Sequence, residues 1–206
     1  TDACLFHPRS YALRPPGGGA CSRRAPRLVL PPVNTDEQRL LLCHPGARDA
    51  FRAALADARG FGADPYFEAN PWRTPELQAE LVAKELSQRM DSAHTFTLPD
   101  FDGRPAPASK AIHVISRAHF YFATEPRLLP HFAVRVAAAA LAHGLVSGAL
   151  WGPRGQEHRE KWSPIRAALV RAIMARKFDE AEQAFLLGRE IGACWDVVHW
   201  EWSPPG

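Results

Sequence analysis

Nine histidines and four cysteines are the residues that first invite a chemical reading. His113 and His119 share one face if their segment is a strand, because alternate residues of a strand point the same way. A metal centre also needs a third ligand and groups that orient all three. His131 has neither a histidine nor a carboxylate one helical turn away, and Glu157 and His158, being adjacent, diverge on a helix. No H-x-x-x-H occurs, so the sequence assigns no metal ligand to this chain. Nucleophilic catalysis asks for a thiol or hydroxyl beside a base that a third group holds. Cys43 and His44 are sequence neighbours, which sends their side chains apart, and no G-x-S-x-G is present. Gly17 to Gly19 neither follow a strand nor open a helix, so they make no phosphate cradle. No catalytic residue is assigned.

The totals narrow the classes. Hydrophobic residues make up 46% and charged residues 23% of the 206, a globular balance that excludes wholesale disorder. A net charge of +3 gives little pull toward nucleic acid. A helix-turn-helix over Ser163 to Ile191 would present Glu180, Glu182 and Glu190 against Arg189, and those carboxylates would repel phosphates. The apolar window from Phe132 to Trp151 holds Arg135 and His143 and makes a poor membrane span. The opening TDACLFHPRS lacks the pattern of a signal peptide. Cys4, Cys21, Cys43 and Cys194 have no zinc or redox spacing and read as free thiols in a reducing cytoplasm.

The elements that must position any site follow from periodicity. Residues 1–33 are Pro-, Gly- and Arg-rich and read as an extended basic arm, with a short edge strand at Arg27 to Leu30. Asn34 or Thr35 caps a short turn. A helix fits Ala47 to Arg59, with Phe51, Ala54, Leu55 and Ala58 on one face. FGADPYFEANPW reads as a loop whose aromatics (Phe61, Tyr66, Phe67, Trp72) plug onto the core or line a groove. Thr74 and Pro75 open a helix that runs to about Met90, with Leu77, Leu81, Val82 and Leu86 buried. HTFTLP reads as a short strand, and DFDGRPAPASK as a loop forming the seam between an α+β half (34–104) and a second half (105–206).

Ala111 to Phe122 reads as a strand, although a helix would also gather Ile112, Ile115, His119 and Phe122. As a strand it turns Ile112, Val114, Ala118, Phe120 and Phe122 one way, and His113, Ile115, Arg117, His119 and Tyr121 toward an open side. Next comes a helix carrying Leu128, Leu129, Phe132, Val136, Ala139, Ala140 and His143 on one stripe, closed by Gly144. The alanines at 137–140 make it thin enough for the middle of a bundle. Ser163 and Pro164 restart a helix that buries Ile165, Ala168, Leu169, Ala172 and Ile173. Asp179 and Glu182 form a capping box for the last helix, which buries Phe178, Ala181 and Phe185. The Trp-rich tail either folds back or docks on a partner. The fold class is α+β: a small antiparallel sheet, winged-helix-like or peptide-recognition-like, with a mostly helical C-terminal half.

AIHVISRAHFYFATEPRLL, an Ala-rich helix and SPIRAALVRAIMARKFDEAEQAFLLG, in that order, resemble the small partner subunits of multinuclear non-heme iron oxidases. Those oxidases modify cysteines of ribosomally made peptides, as in methanobactin-type and 3-thiaglutamate (pearlin-type) biosynthesis. The resemblance covers the second half. It implies a non-catalytic, cytoplasmic subunit that holds a precursor peptide at the iron site of a separate oxidase, with no cofactor on this chain. Peptide binding would fall to Ile112, His113, Ile115, Arg117, His119 and Tyr121, through addition of the peptide to a sheet edge. Trp195, His199, Trp200 and Trp202 would face the oxidase. Two alternatives stand beside it. One is a free-standing enzyme with His113 and His119 in a pocket near Phe61 to Trp72, and the other is a helical protein-interaction module.

Overall fold

The computed structural model describes residues 35–204 except 69, 85–86, 88–90, 121, 123–124 and 155–157. The arm at 1–33, its candidate strand at 27–30, Cys4, Cys21, Leu86, Tyr121 and Glu157 lie outside the described residues.

The fold is α+β with a mostly helical C-terminal half. Its helices are α1 (Asp36–Leu40), α2 (Pro45–Gly60), α3 (Pro75–Ala83), α4 (Leu129–Ala142), α5 (Arg159–Met174) and α6 (Phe178–Glu190). Its strands are β1 (Pro65–Phe67), β2 (Thr97–Pro99), β3 (Pro105–Pro107), β4 (Ala111–Ser116), β5 (Val146–Ser147) and β6 (His199–Glu201). β2 and β3 form a small antiparallel hairpin, and the other four make an antiparallel sheet in the order β1-β4-β6-β5.

Local chemistry explains the element starts. Thr35 accepts from the Gln38 amide while Gln38 reaches back, a reciprocal cap for α1. Pro45 opens α2, and the His44 imidazole accepts the Gly46 amide. Phe51, Ala54, Leu55 and Ala58 are buried as their spacing predicts. Thr74 caps α3 through the Leu77 amide.

Several expectations are corrected. The aromatic loop contains β1. The seam folds back as β3 against β2. The two halves then share one sheet through β1 and β4 and one core through α2 and α4. Helix α3 ends at Ala83, and its buried residue is Gln78 rather than Leu77, which is 44% exposed. Gln78 is tolerated there because its amide donates to Ser87 Oγ at 2.7 Å and its carbonyl accepts from Arg73 at 3.4 Å. Helix α5 begins at Arg159, so Pro164 lies inside it and Ala168 is exposed. The carbonyl that Pro164 leaves without a helical donor belongs to exposed Glu160, where water can serve it. Helix α6 has no side-chain cap; Asp179 sits in its first turn beside Glu180, favouring the positive end of the helix dipole instead.

Strand β4 is shorter than Ala111 to Phe122 and is interior. It ends because the Asp64 carboxylate accepts from Ser116 Oγ (2.8 Å) and the Ala118 amide (2.7 Å), while Phe120 and Phe122 adopt φ of 51° and 60°. Arg117, His119 and Phe120 therefore do not continue its faces. Both sides of the strand are covered: Ile112 and Val114 pack with Phe51, Leu55, Phe67 and Trp200, and Ile115 packs with Val134, Leu169 and Phe185. The expected open side is absent.

Helix α4 joins the two cores. Its alanines at 137–140 are buried, split between both clusters, and it packs against α2, α5 and α6. No helix among the described residues is long and apolar enough to cross a membrane.

Candidate metal centre

His113 on β4 and His199 on β6 are direct cross-strand partners in the antiparallel register. Above them sits His94, in a single 3-10 turn at Ala93–Thr95. Ser92 caps the turn through its hydroxyl, and the Lys110 amide donates to the Ala93 carbonyl at 2.9 Å. The Arg73 amide donates to the His94 carbonyl, also at 2.9 Å. The turn is thus stitched on one side to the residue before β4 and on the other to the loop after β1.

The three rings meet nearly edge to face. His94 and His113 centroids are 4.8 Å apart at 76°, His94 and His199 are 5.3 Å apart at 79°, and His113 and His199 are 5.6 Å apart at 63°. One nitrogen from each lies within 4.8 Å of the others. His94 and His199 are buried and His113 is nearly so.

The partners of the rings fix their tautomers. His94 Nδ1 lies 2.6 Å from the Pro71 carbonyl, which can only accept, so Nδ1 carries the proton. Burial drives the His94 pKa well below the usual imidazole range. The neighbouring His113, Arg73 and His199 side chains act the same way, against the Pro71 hydrogen bond. The ring is neutral, and its Nε2 bears a lone pair. That atom is buried without any hydrogen-bond partner.

His113 Nδ1 donates to Glu68 Oε2 at 2.8 Å, and His199 Nε2 faces Glu201 Oε2 at 3.3 Å. With those nitrogens engaged, Nε2 of His113 and Nδ1 of His199 remain for coordination. Three imidazoles, each held from behind by a carbonyl or a carboxylate, form the outer-sphere pattern of a metal-ligating histidine set. Tetrahedral coordination at about 2.0–2.1 Å brings donors to about 3.4 Å apart, so the set would contract somewhat around an ion.

A tight approach locates His199. A Cβ on Gly148 would stand 2.0 Å from the Asp196 carbonyl oxygen and 3.2 Å from the His199 Cβ. Glycine is therefore required for the turn at Gly148–Leu150 to lie against the segment entering β6. Beyond His199, the Trp151 ring lies 4.6 Å away, Trp195 lies 4.8 Å from Trp151, and Arg154 sits 4.0 Å over Trp195.

The structure separates the residues that sequence reasoning had grouped. His113 joins the centre, with Glu68 of the adjacent loop. His119 does not: its amide is tied to Ser116 Oγ and its ring stacks on Phe122. Arg117 is exposed, with its guanidinium 5.6 Å from the Tyr66 ring. Ile112 and Ile115 are core residues.

In the tail, Trp200 is fully buried against Phe67, Trp202 stacks on His44, and Trp195 donates to the Gly152 carbonyl. The tail folds back, and Trp200 and His199 are buried. His94 and His199 were not among the residues grouped with His113. The one local signal was His199-x-Glu201, an alternation that puts both on one face of a strand.

No protein-family model matches the chain, and no curated protein or solved structure matches it.

Proposed function

We propose that this chain is a metalloprotein that binds one divalent first-row transition ion through His94, His113 and His199. The observation that carries this reading is the lone pair of His94 Nε2, buried and unpartnered on a ring packed against two further imidazoles. Leaving such an atom without a partner costs about 1–3 kcal/mol, and a metal ion removes that cost. Neutral imidazoles suit zinc, copper, nickel or ferrous iron, whereas magnesium and calcium prefer oxygen donors. Zinc is the first candidate, because a set of three histidines is one of its usual catalytic ligand sets.

The test is metal analysis of the full chain, stripped with chelator and reloaded with Zn2+. One equivalent should bind, and His113→Ala should abolish it while leaving the circular dichroism unchanged. Stoichiometric retention by that variant would refute the site.

A second reading keeps the peptide-presenting partner subunit of an iron oxidase. The observation favouring it is the edge strand β5, whose Val146 is 42% exposed. The opposite edge is shut: Asp36 accepts the Phe67 amide, and Arg39 and Arg59 donate to the Phe67 and Pro65 carbonyls. The peptide would then add at β5 and not at β4. Co-purification of an iron oxidase and protection of the residue-146 amide by a Cys-containing peptide would support this reading; protection elsewhere would end it.

A further inference from the structure

We infer that the metal held by these histidines keeps one coordination position open to a small exogenous anion. This rests on the metal-binding reading above and adds the class of ligand the ion takes.

Two observations lead there. Among the described residues, the convergent ligand group contains three side chains and no fourth. The nearest carboxylates are already placed elsewhere: Glu68 and Glu201 lie on the far nitrogens of His113 and His199, behind the rings and not in front of them. A divalent ion with three protein ligands completes its shell with solvent or substrate, which is how catalytic sites differ from closed structural ones.

The ligand class follows from charge and space. A ligating imidazole is neutral, so the ion's double positive charge faces the fourth position at bonding distance. The two carboxylates stand a full ring farther out, where their opposing field is weaker. Arg73 adds positive charge beside His94. An anion is favoured. Size is limited by burial, since His94 and His199 are buried and His113 is nearly so. Such a position takes hydroxide, azide, bicarbonate or a single carboxylate head, and the chemistry available there is polarisation of that bound group by the ion.

The test uses the full chain with one equivalent of Co2+, whose visible bands report coordination number, titrated with azide. The expected result is a saturable shift of those bands at one azide per cobalt, with no release of cobalt. Leu187→Ala, on the exposed face of α6, should retain one cobalt and the same azide affinity. One bound cobalt with bands indifferent to azide would overturn the open position and leave the metal site standing. Failure to bind cobalt or zinc at all would overturn the metal site itself.

Discussion

His113 and His199 stand opposite one another across the β4–β6 ladder, their ring centroids 5.6 Å apart. Neither is near the other in sequence, and each is steadied by a glutamate, Glu68 from the loop after β1 and Glu201 from β6 itself. The pairing joins the C-terminal strand to the centre of the sheet, and His94 closes it from above.

The supporting carboxylates should matter nearly as much as the ligands. Glu68→Gln and Glu201→Gln are expected to weaken Zn2+ binding by about 10–100-fold, with unchanged far-ultraviolet circular dichroism. Competition with a chromophoric chelator measures this. An unaltered affinity in both variants would mean that the carboxylates do not orient the rings.

Metal should stabilise the fold, because its ligands come from a loop turn and two strands that unfolding separates. At free Zn2+ one hundred times its dissociation constant the gain is about 2.7 kcal/mol. In a chain of this size each kcal/mol moves the melting temperature by about 2–4 °C. Thermal melts with and without chelator should therefore differ by roughly 5–10 °C, and His94→Ala should erase the difference.

Gly148→Ala should disturb the site from a distance. The added methyl would collide with the Asp196 carbonyl at 2.0 Å, so backbone must shift where the chain enters β6. Overpacking of this kind costs about 1–3 kcal/mol. A fall in both melting temperature and Zn2+ affinity is expected, whereas Gly60→Ala, with open space around its Cβ, should leave Zn2+ affinity unchanged.

Alkaline pH should destabilise the chain through its buried thiols. Burial pushes Cys43 and Cys194 up to about 12 from an ordinary value of 9.0. Between those values the unfolded chain loses protons that the folded chain keeps. The stabilisation is complete below pH 9 and is lost as pH rises toward about 12, at about 1.4 kcal/mol per pH unit for each thiol. Urea midpoints across pH 8 to about 11 should fall, and the fall should be shallower in Cys194→Ala after correction for its lower stability at pH 8.

What the sequence determined by itself was local. Side-chain spacing fixed the apolar face of α2, the Thr74 cap of α3, the length of α4 with its thin alanine stripe, and the α+β class. These depend on contacts one or two turns apart, and one stretch of chain contains all the information.

The tertiary structure decided the rest. Whether β4 ended at Ser116 depended on Asp64, from a different loop. Whether its sides were open depended on helices that cover both. Whether the Trp-rich tail docked outward depended on the pairing of β6 beside β4. The histidine cluster belongs to this second kind. Spacing suggested His113 with His119, because alternation is the rule inside one strand. The actual partners came from across a ladder and from a turn above it, and a register set by whole-sheet packing leaves no trace in the spacing of any single segment.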